Sequence, residues 1–160
     1  MGLFSRIKKS VKKRLGREEA STQRSNDSRL PAEPDADGFL AVAFSEQLKQ
    51  GRGSTFRYRE TNVAVFRLES GLFAIDDACT HEDGPLGEGD IDGLVVTCPY
   101  HDWRFDVSNG DCLSHENRHV ACYEVKEHDG CIWVGKQSRK GSADRGGLHD
   151  DGLNSPQIKL

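Results

Sequence analysis

A chain of 160 residues with 35% hydrophobic and 30% charged side chains indicates one domain with a small core and sizeable flexible segments. The sequence has no run of 18 apolar residues, which excludes a transmembrane helix, and no apolar stretch near its start that suits an export signal. We therefore expect a cytoplasmic protein. Its odd cysteine count, five, favours buried thiols over a disulfide framework.

The charge is unevenly distributed along the chain. Residues 1–30 carry nine Lys or Arg and three Asp or Glu, whereas residues 31–160 carry 13 and 23. A basic arm on an acidic body suggests that the arm contacts something anionic and the body something cationic. Simple solvation of both segments is the alternative. We expect no nucleic acid among the partners.

Residues 1–37 are predicted to form a basic arm and a linker. Over residues 1–17, the apolar side chains fall within an arc of about 120° on a helical wheel, with most basic residues outside it: Leu3, Phe4, Ile7, Val11 and Leu15. Such a helix can lie on an anionic membrane surface or bind in a partner's groove, and it is coil when no surface is present. Residues 18–37 are rich in Ser, Asn, Asp, Gln and Pro and have no apolar period, as in a flexible linker.

Residues 38–135 are predicted to form an all-β domain, because short apolar or alternating runs are separated by frequent turn signals. The predicted strands are Phe39–Phe44, Thr55–Tyr58, Val63–Leu68, Leu72–Ile75, Glu88–Ile91, Leu94–Thr97, Arg104–Val107, Tyr123–Glu127 and Cys131–Val134. Asp92-Gly93 and Asp129-Gly130 suit hairpin turns. Residues 136–160 have little apolar content and are expected to be a disordered tail.

Two pairs of metal-binding side chains stand out between these strands: Cys79 and His81, then Cys98 and His101. Thiolate and neutral imidazole bind borderline and soft metals, and residues this close in sequence can chelate from one loop. Two Cys and two His suit either a structural zinc ion or a [2Fe–2S] cluster with mixed ligands. Zinc would make the domain a binding or regulatory module.

The surroundings of these pairs resemble the Rieske family over about Phe39 to Val134. Cys-x-His is followed by Gly84-Pro85-Leu86, and Cys-Pro-Tyr-His by Asp102-Trp103-Arg104-Phe105-Asp106. The resemblance implies an antiparallel β-sandwich with two cluster-binding loops. It further implies a [2Fe–2S] cluster whose inner iron is held by Cys79 and Cys98 and whose outer iron is held by His81 and His101. Such a protein carries single electrons and has no catalytic site of its own.

Several neighbours of the four residues have predicted roles. Glu82, Asp83 and Asp102 follow the histidines and are candidates for docking a basic partner; solvated loop acids would look the same. Leu86 and Trp103 are candidates for shielding the cluster, although ordinary core residues would also look like this.

A second metal site is suggested by His115 and His119 with Glu116 between them. The Rieske oxygenases hold a mononuclear iron with two His and one carboxylate. Those enzymes need a large additional catalytic domain, for which 160 residues leave no room. We therefore expect no second iron at these residues.

Two Rieske families compete as relatives. Asp102 and the absence of proline from Ser114–His119 resemble the small subunit of NAD(P)H nitrite reductase more than the ferredoxin of ring-hydroxylating dioxygenases. An unassigned Rieske protein with its own partner is the third possibility. Each implies a flavin reductase as electron donor and a terminal oxidoreductase as acceptor.

The resemblance also bears on the reduction potential. High-potential Rieske proteins have a disulfide between the two loops, where this chain has Gly84 and Tyr100. They also have Ser and Tyr hydroxyls that donate to the cluster, where this chain has Trp103 and Phe105. Fewer donors to sulfur disfavour the reduced state, so the resemblance implies a low potential.

Overall fold

The computed structural model describes residues 29–142, so the predicted helix over 1–17, most of the linker and the tail beyond Ser142 lie outside the described residues. The described residues form two antiparallel sheets and two single-turn 3-10 helices, Ser45–Gln47 and Leu86–Glu88. The strands are β1 Leu40–Phe44, β2 Arg52–Tyr58, β3 Thr61–Leu68, β4 Gly71–Asp76, β5 Asp90–Asp92, β6 Val95–Thr97, β7 Arg104–Asp106, β8 Cys122–His128 and β9 Cys131–Arg139. The all-β, antiparallel architecture predicted from the sequence is confirmed.

The larger sheet has six strands in the order β1-β9-β8-β4-β3-β2 and is buried on both faces near its centre. Along β3, Val63 and Val65 face one apolar cluster, while Ala64, Phe66 and Leu68 face another. Because side chains alternate along a strand, a strand that reads as continuously apolar must have both faces covered. The Asp129-Gly130 turn has positive φ at both residues, 51° and 75°, as a two-residue hairpin requires.

The smaller sheet has three strands in the order β5-β6-β7 and covers one face of the larger sheet. Its Val96 and Phe105 pack in the same apolar cluster as Phe66 of β3. The segment after β4 contains Cys79 and His81, and the connection between β6 and β7 contains Cys98 and His101. Packing of the two sheets therefore brings both predicted metal loops together.

Some predicted boundaries are wrong. β9 continues to Arg139, and Ser142 bonds the carbonyl of His119 through its hydroxyl at 3.0 Å, so order extends past the predicted end of the domain. The predicted strand Glu88–Ile91 is observed as Asp90–Asp92, because Leu86–Glu88 form a 3-10 helix. The turn that follows is therefore Gly93-Leu94 and not the predicted Asp92-Gly93.

All five cysteines lie within the described residues, and none is in a disulfide. Cys122 and Cys131 are buried and Cys112 is half-buried, as expected for thiols used as small apolar side chains. Neither short helix of residues 29–142 is long or apolar enough to cross a bilayer.

Candidate metal centre

The two metal loops have the same backbone design. In the first, the N–H of Asp83 donates to the carbonyl of Cys79 at 3.0 Å, and the N–H of Cys79 donates to the carbonyl of Gly84 at 3.0 Å. The second loop repeats both bonds at 3.1 and 2.8 Å, with the pairs Asp102 to Cys98 and Cys98 to Trp103. In each loop, both the N–H and the carbonyl of the cysteine are therefore hydrogen-bonded within the loop, which fixes the backbone at the cysteine.

The four predicted ligands assemble by type. The Cys79 and Cys98 thiols are neighbours, and each residue is 1% exposed. The rings of His81 and His101 meet edge to face, with their centroids 4.4 Å apart, and 42% of the His101 side chain is exposed. Cysteines therefore lie inside and histidines toward the surface, the order that a Rieske centre requires of its inner and outer irons.

Two features of these side chains are unfavourable in the absence of a cation. The Nδ1 atom of His81 is buried without a hydrogen-bond partner, which is costly for a polar nitrogen. Burial raises the pKa of the Cys79 thiol to about 12, and the adjacent Cys98 thiol adds to the rise. A metal group removes both costs, because it takes the ring nitrogen as a ligand and stabilises the two thiolates.

The arrangement suits two irons better than one zinc. A tetrahedral zinc ion needs all its donors around a single point, whereas each iron of a mixed-ligand [2Fe–2S] cluster takes two protein side chains. Within residues 29–142, no group of three or more His, Cys, Asp or Glu side chains is placed to hold one ion.

Glycine at position 84 makes room for this centre. A Cβ atom there would lie 2.7 Å from the sulfur of Cys98 and 3.1 Å from Cγ of Tyr100. Real Cβ atoms are not found that close to a sulfur, so any side chain at position 84 would displace the second loop.

Asp77 stabilises the first metal loop, a role that was not predicted from the sequence. Its buried carboxylate accepts hydrogen bonds from the hydroxyl of Thr55 at 2.8 Å and the N–H of Gly87 at 2.9 Å. Its backbone carbonyl accepts from the N–H of Leu86 at 2.7 Å. Asp77 thus ties strand β2 to both ends of the segment that contains Cys79. The burial of this acid emerges only from the fold, so the sequence held no signal that could have identified it.

The two predicted shielding residues are buried beside the cysteines. Leu86 is fully buried and Trp103 is 7% exposed, and both pack in the apolar cluster that contains Cys79 and Cys98. The indole of Trp103 also stacks on the ring of His81, with centroids 4.7 Å apart and planes 9° apart. Trp103 therefore contacts a predicted ligand directly.

The three predicted docking acids are exposed around the histidines. A carboxylate oxygen of Glu82 lies 3.5 Å from Nε2 of His101. Asp83 and Asp102 have φ angles of 53° and 58°, a region that aspartate tolerates better than most residues. Aspartate at these two positions therefore also has a backbone reason, and glycine would satisfy the same turn.

Comparisons with known proteins agree with this geometry. Residues 38–124 match the sequence model of the Rieske [2Fe-2S] domain. The cholesterol 7-desaturase nvd of Bombyx mori is 34% identical over 131 residues, which is 76% of this chain but only 28% of the desaturase.

Solved structures share the fold. The ferredoxin of carbazole 1,9a-dioxygenase from Nocardioides aromaticivorans IC177 is 30% identical, with a TM-score of 0.56 over 61% of this chain and 96% of the ferredoxin. A Mycobacterium tuberculosis protein, described as a candidate small subunit of an NADH-dependent nitrite reductase, is 22% identical. Its TM-score is 0.56 over 61% of this chain and 94% of that protein, a likeness of fold.

The match to the domain covers more than half of the chain, and the donor set and its burial fit the cofactor of that domain. The chain therefore belongs to the Rieske [2Fe-2S] domain family, its cofactor is a [2Fe–2S] cluster, and its function is electron transfer.

Proposed function

We propose that this chain is a low-potential carrier of single electrons from a flavin reductase to a terminal oxidoreductase. Cys79 and Cys98 hold the inner iron, and His81 and His101 hold the outer one. The observation that carries this assignment is the sorting of the four side chains: both thiols are buried, His81 is half-buried and His101 is exposed. Either pair supplies two donors to one iron.

The chain's residues have distinct tasks in this function. The bound cluster supplies one reversible electron and offers no open coordination position. Leu86 and Trp103 exclude water from the thiolate side, because both are buried against the cysteines. The edge of His101 remains accessible, with 42% of its side chain exposed, and gives a partner its nearest approach to the outer iron. Asp77 holds the first loop in register with β2.

Docking of a basic partner is supported by the charge around the accessible ring. Glu82, Asp83 and Asp102 are exposed there, and Glu82 lies 3.5 Å from His101. Opposite charges on a partner would steer it toward the ring and fix its orientation. Tyr100, which is 60% exposed beside His101, adds an apolar contact of the kind found at the centre of protein interfaces.

Two partner systems remain candidates. Two similarities favour an oxygenase as the electron acceptor. A dioxygenase ferredoxin is 30% identical, and the matching chain in a solved complex of oxygenase and ferredoxin is 29% identical. Asp102 and the lack of proline in Ser114–His119 favour the small subunit of a nitrite reductase. The chain also matches 28% of the length of a desaturase. Delivery of the electron to a larger catalytic domain is therefore a further possibility under the same proposal.

The acceptor can be tested by reconstitution. With NADH and the flavin reductase of a ring-hydroxylating dioxygenase, we expect the protein to take up one electron per chain. Addition of the matching oxygenase with its substrate should reoxidise it and yield hydroxylated product. The parallel arm uses a nitrite reductase large subunit and nitrite. Reoxidation in only one arm identifies the system, whereas failure of every reductase to reduce an intact cluster would contradict the carrier function.

The place where the linker joins the domain leaves the cluster free. Asp35 and Asp37 lie 2.7 and 3.0 Å from the ammonium of Lys126, which also covers the ring of Phe39 at 4.1 Å. Lys126 is in the half of β8 nearer the β8–β9 turn, while Cys122 at its other end pairs with Ile75 of β4, next to the first metal loop. A cytoplasmic protein held to an anionic membrane by residues 1–17 could therefore still present its histidines.

Membrane contact predicts a salt-sensitive association with vesicles. Full-length protein should co-sediment with vesicles that contain phosphatidylserine, and less so as salt is raised, because each basic residue near the surface contributes about 1 kcal/mol. A truncated protein lacking residues 1–17 should stay in the supernatant. Val11→Asp, which keeps every basic residue but interrupts the apolar arc, is the matched control and should bind weakly. Equal sedimentation of full-length and truncated protein would show that the arm does not anchor the chain.

A further inference from the structure

Three aromatic rings form a continuous stack that runs outward from the metal centre. The ring of His81 lies on the indole of Trp103 at a centroid distance of 4.7 Å, and the ring of His115 lies on the same indole at 3.8 Å. The plane of the indole is 9° from that of His81 and 29° from that of His115. Trp103 is thus held between a predicted ligand and a histidine from another loop.

The loop that supplies His115 is fastened to the residue after Trp103. The hydroxyl of Ser114 accepts from the N–H of Arg104 at 3.0 Å, and the N–H of Leu113 donates to the carbonyl of Arg104 at 2.7 Å. The loop is closed by a bond from the N–H of Cys112 to the carbonyl of Arg118 at 2.9 Å. None of these bonds involves the His115 side chain, so the loop is placed beside Trp103 independently of that side chain.

His115 restricts the indole of Trp103, and the indole in turn restricts the ring of His81. Within residues 29–142, no protein group bonds the buried Nδ1 atom of His81, which leaves that nitrogen to the metal group. The plane of its ring is therefore set by contact, with His101 edge to face on one side and Trp103 stacked on the other. Residues that orient metal ligands commonly affect the stability and electronic properties of the metal group.

We propose that His115 is a positioning residue that presses Trp103 onto His81 and so fixes the ring plane of the outer-iron ligand. This inference rests on the proposed role of His81 as a ligand. His115 acts through ring contact with Trp103, so an aromatic side chain of similar size can replace the His115 imidazole. It also explains the histidine of the His115-Glu-Asn-Arg-His119 segment without a second metal, because the side chain faces an indole.

The test compares His115→Ala with His115→Phe in the cluster-loaded, full-length protein. The first measurement is the rate at which a ferrous chelator removes iron from the reduced protein, followed by loss of the visible absorbance. We expect about tenfold faster loss in His115→Ala and a rate near that of the unsubstituted protein in His115→Phe. The second measurement is the spin-resonance spectrum of the reduced cluster, which should broaden in His115→Ala alone.

His119→Ala is the matched control. His119 lies four residues further along and is tied through its backbone to Ser142, with a bond from the hydroxyl of Ser142 to its carbonyl at 3.0 Å. This variant should match the unsubstituted protein in both measurements. If His115→Ala fails to assemble a cluster while His115→Phe succeeds, the positioning role is supported as well.

The outcomes separate this inference from the function on which it rests. A missing Rieske-type signal in the unsubstituted protein would overturn the ligand assignment itself. A normal signal there, together with His115→Ala and His119→Ala that lose iron equally fast, would overturn only the role of His115. Failure of His115→Phe to restore the rate or the spectrum would likewise overturn it, because ring contact would then not be what positions His81.

Discussion

Replacement of Cys79 or Cys98 by alanine is expected to abolish cluster assembly. The unsubstituted protein should contain about two irons and two sulfides per chain and show a Rieske-type signal when reduced. Each alanine variant should contain almost no iron, because a single remaining thiolate cannot complete the inner pair. Since binding of the metal group contributes to folding, the variants should also unfold at a lower temperature. Iron and sulfide analysis with thermal unfolding checks both expectations.

Cys131→Ala provides the matched control for this loss. Cys131 is also buried, but it begins β9 and pairs with Phe44 and His128, away from the metal loops. Its removal should cost about 1–2 kcal/mol of folding stability as a small core truncation and leave the iron content unchanged.

His81→Cys and His101→Cys should keep a cluster with a lower potential, because an added thiolate charge disfavours reduction. An unchanged spectrum in any variant of the four residues would remove that residue from the ligand set.

The residue spacing contained most of what identifies the metal centre. Two short Cys/His pairs, each beside glycine or proline, predicted two loops that chelate a common group, and the structure brings the four side chains together by type. Alternation and continuous apolar runs predicted the strands of the core, because burial there depends on side chains that the sequence displays directly. Val63, Ala64, Val65 and Phe66 are all fully buried, in the way a run without polar residues requires.

Features that depend on distant pairing could not be predicted in this way. The end of β9, from Lys136 to Arg139, is polar and has no alternating pattern, yet it is a strand because Gln137 and Arg139 pair with β8. Asp77 looks like any loop acid until β2 and the Leu86–Glu88 helix are placed around it. His115 suggested a metal ligand together with His119, whereas its partner is an indole from a loop that the sequence gives no reason to place there.

The reduction potential is expected to lie near the low end of the Rieske range, on the order of −150 mV. In the structure, Phe105 is fully buried and has no hydroxyl that could donate to the cluster. Position 84 is a glycine beside Tyr100, so no disulfide can join the two loops there. Without those donors, the reduced state is less stabilised than it is in high-potential relatives.

Negative charge beside the outer ligand acts in the same direction. The carboxylate of Glu82 lies 3.5 Å from Nε2 of His101, where it opposes the arrival of an electron. Because Glu82 is exposed, its effect is limited by solvent: Glu82→Gln should raise the potential by on the order of 20–30 mV, from a Coulomb energy of roughly 0.5 kcal/mol. Glu69→Gln, at the exposed turn between β3 and β4, removes the same charge at the end of the larger sheet opposite the metal loops and should leave the potential unchanged.

Protein-film voltammetry on the unsubstituted protein and these two variants measures both effects. A midpoint on the order of −150 mV allows a flavin reductase to supply the electron and excludes oxidation of quinol as the function. A midpoint on the order of +300 mV would contradict the low-potential assignment, and with it the inference that missing sulfur donors set the potential. Equal midpoints for Glu82→Gln and Glu69→Gln would show that the charge nearest His101 has no measurable influence on the potential, and would locate the cause within the loops.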